Sequence, residues 1–117
     1  MGMIILIVED SVTRAECLSN IFAQYYPEAK IVVAHLSSVA IRFLQNCYNN
    51  NIPPDIISLD YDLGFYDTSA PVVNFITARA PFFAETKFYV HSLNPVGANW
   101  MLNELRDNGL MVSRIIL

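Results

Sequence analysis

The sequence predicts an α/β domain on a five-stranded parallel sheet, doubly wound in the strand order 2-1-3-4-5. Short apolar runs alternate with helix-period patterns along the chain, short connections join them, and polar residues follow the runs. Hydrophobic residues make up 54% and charged residues 15%, against roughly 25% charged in an average domain, which excludes a disordered chain. A length of 117 residues suits a single domain spanning 1–117.

Met3 to Val8 is an unbroken, β-branched run, as suits a strand buried on both faces. Asp10 or Ser11 can cap the next helix, whose apolar positions Leu18, Ile21, Phe22 and Tyr25 stop before Pro27. Ile31 to Ala34 reads as the second strand. Ser37 or Ser38 then caps a helix carrying Val39, Ile41, Phe43 and Leu44, which Asn49–Asn51 and Pro53-Pro54 break. Asp55 to Leu59 is the third strand, followed by a loop from Asp60 to Ser69. Pro71 sits in the first turn of a helix running to about Ala80, and Lys87 to Val90 is the fourth strand. Asn94-Pro95 starts a helix that Gly109 stops, and Val112 to Leu117 is the fifth strand. The order of elements then leaves the fifth helix missing.

Composition narrows the partners. Seven Lys and Arg against eleven Asp and Glu give a net charge of −4, with no basic run to bind a long nucleic acid. No apolar stretch approaches the roughly 18 residues of a membrane span. Met1 to Val8 lacks the preceding positive residue of a secretory signal, and Glu9-Asp10 follow at once, so a cytoplasmic protein is expected. Cys17 and Cys47 fall on helices expected on opposite sheet faces, beyond the roughly 7 Å Cα limit of a disulfide. Two free thiols are expected.

In such sheets ligands bind at the carboxyl ends of the strands. Glu9 and Asp10 end strand one, His35 strand two, Asp60 and Asp62 strand three, and His91, Ser92 and Asn94 strand four. Strands one, three and four are neighbours in the predicted order, so Glu9, Asp10, Asp60 and His91 converge. Clustered carboxylates repel one another unless a cation neutralises them, and hard oxygen donors suit Mg2+. Asn94, Pro95 and Gly97 open a helix at the same rim, where free N–H groups and a small residue favour a phosphate. His91 can give or take a proton at a leaving oxygen. Asp60 can bind the metal or attack phosphorus.

The acidic pair after strand one and Asp60 after Asp-Ile-Ile-Ser-Leu resemble the response-regulator receiver domain, a flavodoxin-like three-layer sandwich. That resemblance implies that Asp10 and Glu9 hold magnesium, Asp60 stands at the phosphoacceptor position and Ser92 at the hydroxyl position. Asp62 falls where a receiver supplies a backbone carbonyl to the metal. A receiver lysine ends strand five; here its place falls near Ile116, and the strand's only basic residue is Arg114. Leu59-Asp-Tyr-Asp-Leu-Gly64 and Val90-His-Ser-Leu-Asn-Pro-Val-Gly-Ala98 more closely resemble the cyclic-phosphate processing receiver domain, a variant of that superfamily. Tyr61 stands where that variant often has histidine.

The narrower resemblance implies a metal-dependent phosphoesterase acting on a small cyclic phosphate or related phosphoester. His91, Asp60 and Ser92 are its expected catalytic residues, Asp10, Asp60, Glu9 and Asp62 its metal site, and Asn94, Gly97 and Ser92 its phosphate contacts. The alternative is a signalling module phosphorylated on Asp60. With one helix on one sheet face, an apolar strip is left open, and a homodimer through the C-terminal strand region is expected.

Overall fold

The computed structural model describes residues 2–115. Strands β1 (Ile4–Val8), β2 (Lys30–Ala34), β3 (Ile56–Leu59), β4 (Lys87–Val90) and β5 (Met111–Arg114) form one parallel sheet in the order β2-β1-β3-β4-β5. Helices α1 (Val12–Tyr25), α2 (Ser37–Asn49), α3 (Ala70–Thr77) and α4 (Pro95–Asp107) alternate with the strands. The doubly wound α/β fold expected from the pattern of runs, with its strand order 2-1-3-4-5, is therefore present. Among the described residues no helix is long and apolar enough to cross a membrane.

Side chains alternate across the interior strand β1 and divide the core. Leu6 and Val8 face α2, α3 and α4 in a cluster of nineteen buried residues, whereas Ile5 and Ile7 face α1 in a cluster of five. The second face is correspondingly thin. Leu18, Ile21, Phe22, Tyr25, Tyr89 and Ile115 line a groove of about 420 Å3 there, with Tyr25 75% exposed. Cys17 on α1 is exposed and Cys47 on α2 is buried, and both are free thiols.

Several boundaries differ from the sequence expectation for identifiable reasons. The helix expected to reach Ala80 ends at Thr77 and resumes as a 3-10 turn over Ala80–Phe83. Pro81 lacks an N–H and disfavours helical geometry at the residue before it. Ser11, not Asp10, caps α1, its Oγ accepting from Arg14 N at 3.2 Å. Ser37 lies inside α2 rather than capping it; its N–H and Oγ both donate to Asp67, at 2.8 and 2.6 Å. A carboxylate thirty residues away anchors that helix N-terminus. The fifth strand is described only to Arg114; Ile116 and Leu117 of the expected strand lie outside the described residues.

Candidate functional site

The parallel register brings the carboxyl ends of β1, β3 and β4 level. Val8 pairs with Leu59 and Leu59 with Val90, so Glu9, Asp60 and His91 emerge side by side. Asp10 is free to face the same space because Ser11 performs the capping. Glu9, Asp10 and Asp60 each present a carboxylate oxygen, all within 4.8 Å of one another. Glu9 and Asp60 are buried, while the Asp10 side chain is 34% exposed.

His91 is placed differently from an acid or base facing solvent. Its side chain is fully buried, with Nε2 3.2 Å from Glu9 Oε1 and Nδ1 2.7 Å from Ser58 Oγ. Ionised Glu9 needs a donor, so in the neutral ring Nε2 carries the proton and Nδ1 accepts from the Ser58 hydroxyl. Both nitrogens are occupied. His91 thus orients Glu9, and the acid/base role expected for it lacks an exposed nitrogen.

Burial opposes the Glu9 charge, but hydrogen bonds from His91, Arg14 and the Ser11 N–H outweigh it and hold the carboxyl well below its ordinary range. Burial and then the adjacent Glu9 raise the Asp10 carboxyl. Asp60 is pushed up to about 6 by burial, with the Glu9 charge adding and the Ser92 hydroxyl partly offsetting. One carboxylate of the three is secured as an anion, and the other two resist ionising beside it. A hard divalent cation relieves that conflict. Asp10 Oδ1 is buried with no hydrogen-bond partner, so an oxygen donor stands unsatisfied beside the cluster. The residues present therefore fit Mg2+, with Glu9, Asp10 and Asp60 as the donor set.

Three other expected residues are directed elsewhere. The Asp62 carboxylate accepts from Asn94 Nδ2 at 3.1 Å and lies outside the three-carboxylate group, whereas the metal contact expected of Asp62 is its backbone carbonyl. Asn94 Oδ1 accepts from Gly97 N at 3.1 Å, so its side chain is spent on the α4 cap and on Asp62. A Cβ on Gly97 would lie 2.3 Å from the Tyr61 ring, so the missing side chain makes room for Tyr61 rather than for a phosphate. Ser92 is buried on the rim beside Asp60, and its Oγ accepts from Asn94 N at 3.1 Å. His35 is exposed, its Nδ1 2.8 Å from the Glu9 carbonyl, where it donates.

Two contributors escape a motif reading. Arg14 Nε donates to Glu9 Oε1 at 3.0 Å and Nη2 to Oε2 at 3.3 Å. Gly64, at φ +77°, lies so close to Asp10 that a Cβ would stand 3.1 Å from its Oδ2. The helical spacing from Asp10 to Arg14 was the available signal for the first. The second rests on a loop fold that local sequence does not encode. Ser69 completes the loop, donating its Oγ proton to the Asp60 carbonyl and its N–H to the Tyr61 carbonyl.

Solved structures of similar fold include response regulators and a histidine-kinase receiver domain. The Mn2+-bound response regulator Rcp1 matches with TM-score 0.72 and 17% identity, over 98% of this chain and 81% of that one. The phosphorylated cyanobacterial phytochrome response regulator RcpA matches with TM-score 0.71 and 19% identity, over 99% and 81%. The receiver domain of the histidine kinase CKI1 from Arabidopsis thaliana, complexed with Mg2+ and BeF3−, matches with TM-score 0.66 and 14% identity, over 92% and 76%. No curated protein sequence matches the chain. Residues 4–107 match the family pattern of the cyclic-phosphate processing receiver domain, and the chain belongs to that family.

Proposed function

We propose that the carboxyl rim is a magnesium-dependent phosphate site in which Asp60 receives a phosphoryl group. The observation that carries this reading is the unpartnered Asp10 Oδ1 beside the Glu9 and Asp60 carboxylates, with the Ser92 hydroxyl on the same rim. Bound magnesium supplies neutralisation of the acids and polarisation of a phosphoryl oxygen. Glu9, held ionised by His91 and Arg14, and Asp10 would hold it with Asp60. The remaining Asp60 oxygen attacks phosphorus, the bond to the leaving oxygen breaks, and that oxygen departs with the electron pair. Ser92 can hydrogen-bond a phosphoryl oxygen. The burial of His91 favours this reading, because a leaving oxygen on the rim meets no free imidazole nitrogen.

A second reading is hydrolysis of a small cyclic phosphate or related phosphoester, favoured by the family to which residues 4–107 belong. It uses the same metal and Asp60, with water as the attacking group and Asp60, rather than His91, taking its proton. One experiment separates the two. The protein is incubated with magnesium and either acetyl phosphate or a panel of 2′,3′-cyclic and linear phosphates. Acid-labile label on wild type but not Asp60→Asn supports phosphoryl acceptance. Turnover of a cyclic phosphate, lost in Asp60→Asn, supports hydrolysis and overturns the first reading if no label forms.

The groove that α1 forms with Tyr89 of β4 and with Ile115, just past β5, is proposed as the seat of a second copy of the chain, giving a homodimer whose phosphate rims stay open. A cytoplasmic setting fits the two free thiols.

A further inference from the structure

We propose that Arg14 is the phosphate-contacting cation of this rim, held in position by Glu9 and competing with the metal until a phosphate arrives. The inference rests on the phosphate reading of the site and names the residue that makes the rim attractive to an anion. Among the described residues, Arg14 is the one Lys or Arg paired with any of the three rim carboxylates. Three ionised carboxylates and one divalent cation leave a net negative charge, which repels a phosphate dianion. Arg14 cancels it.

The guanidinium commits Nε and one Nη2 proton to Glu9, and the same Nη2 is the nitrogen turned toward the other two acids. The Nε and Nη2 hydrogen bonds to Glu9 fix its plane, because a carboxylate and a guanidinium meet fork to fork. Glu9 is itself fixed by buried His91. Toward the other acids Nη2 stands 3.8 Å from Asp10 Oδ1 and 3.7 Å from Asp60 Oδ2, beyond hydrogen-bond length for either. The guanidinium thus neutralises Asp10 and Asp60 by proximity without committing donors to them. The Arg14 side chain is 39% exposed, so those donors are reachable from solvent. A phosphoryl group on Asp60 lies next to them.

A cation in that place has opposite effects on the two ligands. It disfavours a second cation at Asp10 and Asp60, and it favours the anion that follows. Binding of magnesium alone, and of beryllofluoride in the presence of magnesium, is measured by calorimetry for the whole chain. Arg14→Ala is expected to bind magnesium alone several-fold more tightly, and beryllofluoride about tenfold or more weakly. Arg14→Lys keeps the charge but not the fork and gives intermediate beryllofluoride affinity; it carries the test if Arg14→Ala does not fold. Equal beryllofluoride binding by wild type and Arg14→Ala, or by wild type and Arg14→Lys should that variant alone fold, overturns the assignment to Arg14 and leaves the phosphate site standing. Loss of both ligands in a folded Arg14→Ala shows a merely structural arginine and also overturns it. Wild type that binds no beryllofluoride with magnesium overturns the phosphate reading itself, and the Arg14 role with it.

Discussion

Glu9 Oε1 accepts from His91 Nε2 at 3.2 Å with both side chains fully sealed from water. Breaking it strips a buried carboxylate of one of its donors, leaving Arg14 and the Ser11 N–H, and an unmet buried acceptor costs more than a lost surface contact. His91→Leu is therefore expected to destabilise the fold by about 2–4 kcal/mol, since Ser58 also loses its partner. Urea unfolding measures it, and a loss under about 0.5 kcal/mol, typical of a surface change, would show that the pair does not anchor Glu9.

Magnesium is expected to raise the melting temperature, because it binds three acids that assemble only in the folded chain. At a hundredfold excess over Kd the stabilisation is about 2.7 kcal/mol, and for a domain of this size each kcal/mol is worth about 4–8 °C. Chelation should reverse the shift. An unchanged melting temperature at saturating magnesium would remove the metal from the site.

The metal-free protein should lose stability as pH rises through the weakly acidic range. Asp60 is pushed up to about 6 from an ordinary 3.8, so the folded chain holds its proton where the unfolded chain has released it. Its contribution is full below 3.8 and declines as pH rises to about 6, by roughly 3 kcal/mol at most. Glu9 runs the other way: its carboxyl is depressed, so its contribution is present above about 4.5 and lost as pH falls. Asp60→Asn should remove the upper decline and stabilise the metal-free protein at neutral pH. Denaturant midpoints across pH 4 to 7 would detect this, and a flat wild-type profile through that window would contradict it.

Sedimentation of the wild-type chain is expected to give a dimer at micromolar concentration. Ile21 lines the groove of α1, Tyr89 and Ile115 and is 40% exposed, so Ile21→Lys adds a charge there at little cost to the fold. That variant should sediment as a monomer with its magnesium affinity intact. A wild-type monomer, or a dimer indifferent to Ile21→Lys, would place the interface elsewhere or nowhere.

Much of this architecture was legible because its signals are local or follow from general winding rules. Short apolar runs such as Ile4–Val8 and, around Ser58, Ile56–Leu59 mark buried parallel strands, and neighbouring strand ends gather whatever polar residues terminate them. Glu9, Asp10 and Asp60 were identifiable on that basis. Roles that depend on a distant partner were not. His91 is a free imidazole until Ser58 and Glu9 close on both nitrogens. Gly97 looks like an opening for a phosphate until the Tyr61 ring fills it. Arg14 lies in the first turn of a helix, four residues before Leu18 and seven before Ile21, so its spacing places it on the apolar stripe rather than at a site. Asp67 is an unremarked loop acid until it meets the N-terminus of α2.

That last contact gives the loop after β3 the character of a fastened clasp. One foot is Ser69, bonded back to Asp60 and Tyr61, and the other is Asp67, bonded to Ser37 across the sheet end. Just ahead of Asp67, Phe65 and Tyr66 project fully into solvent with φ at +46° and +65°. Lifting the clasp to uncover the acids also strips α2 of its N-terminal anchor, a contact of about 1 kcal/mol in ordinary helices. Displacement of the loop and loosening of the α2 N-terminus are thus coupled through Asp67, and the Ser37 amide is where hydrogen exchange registers it.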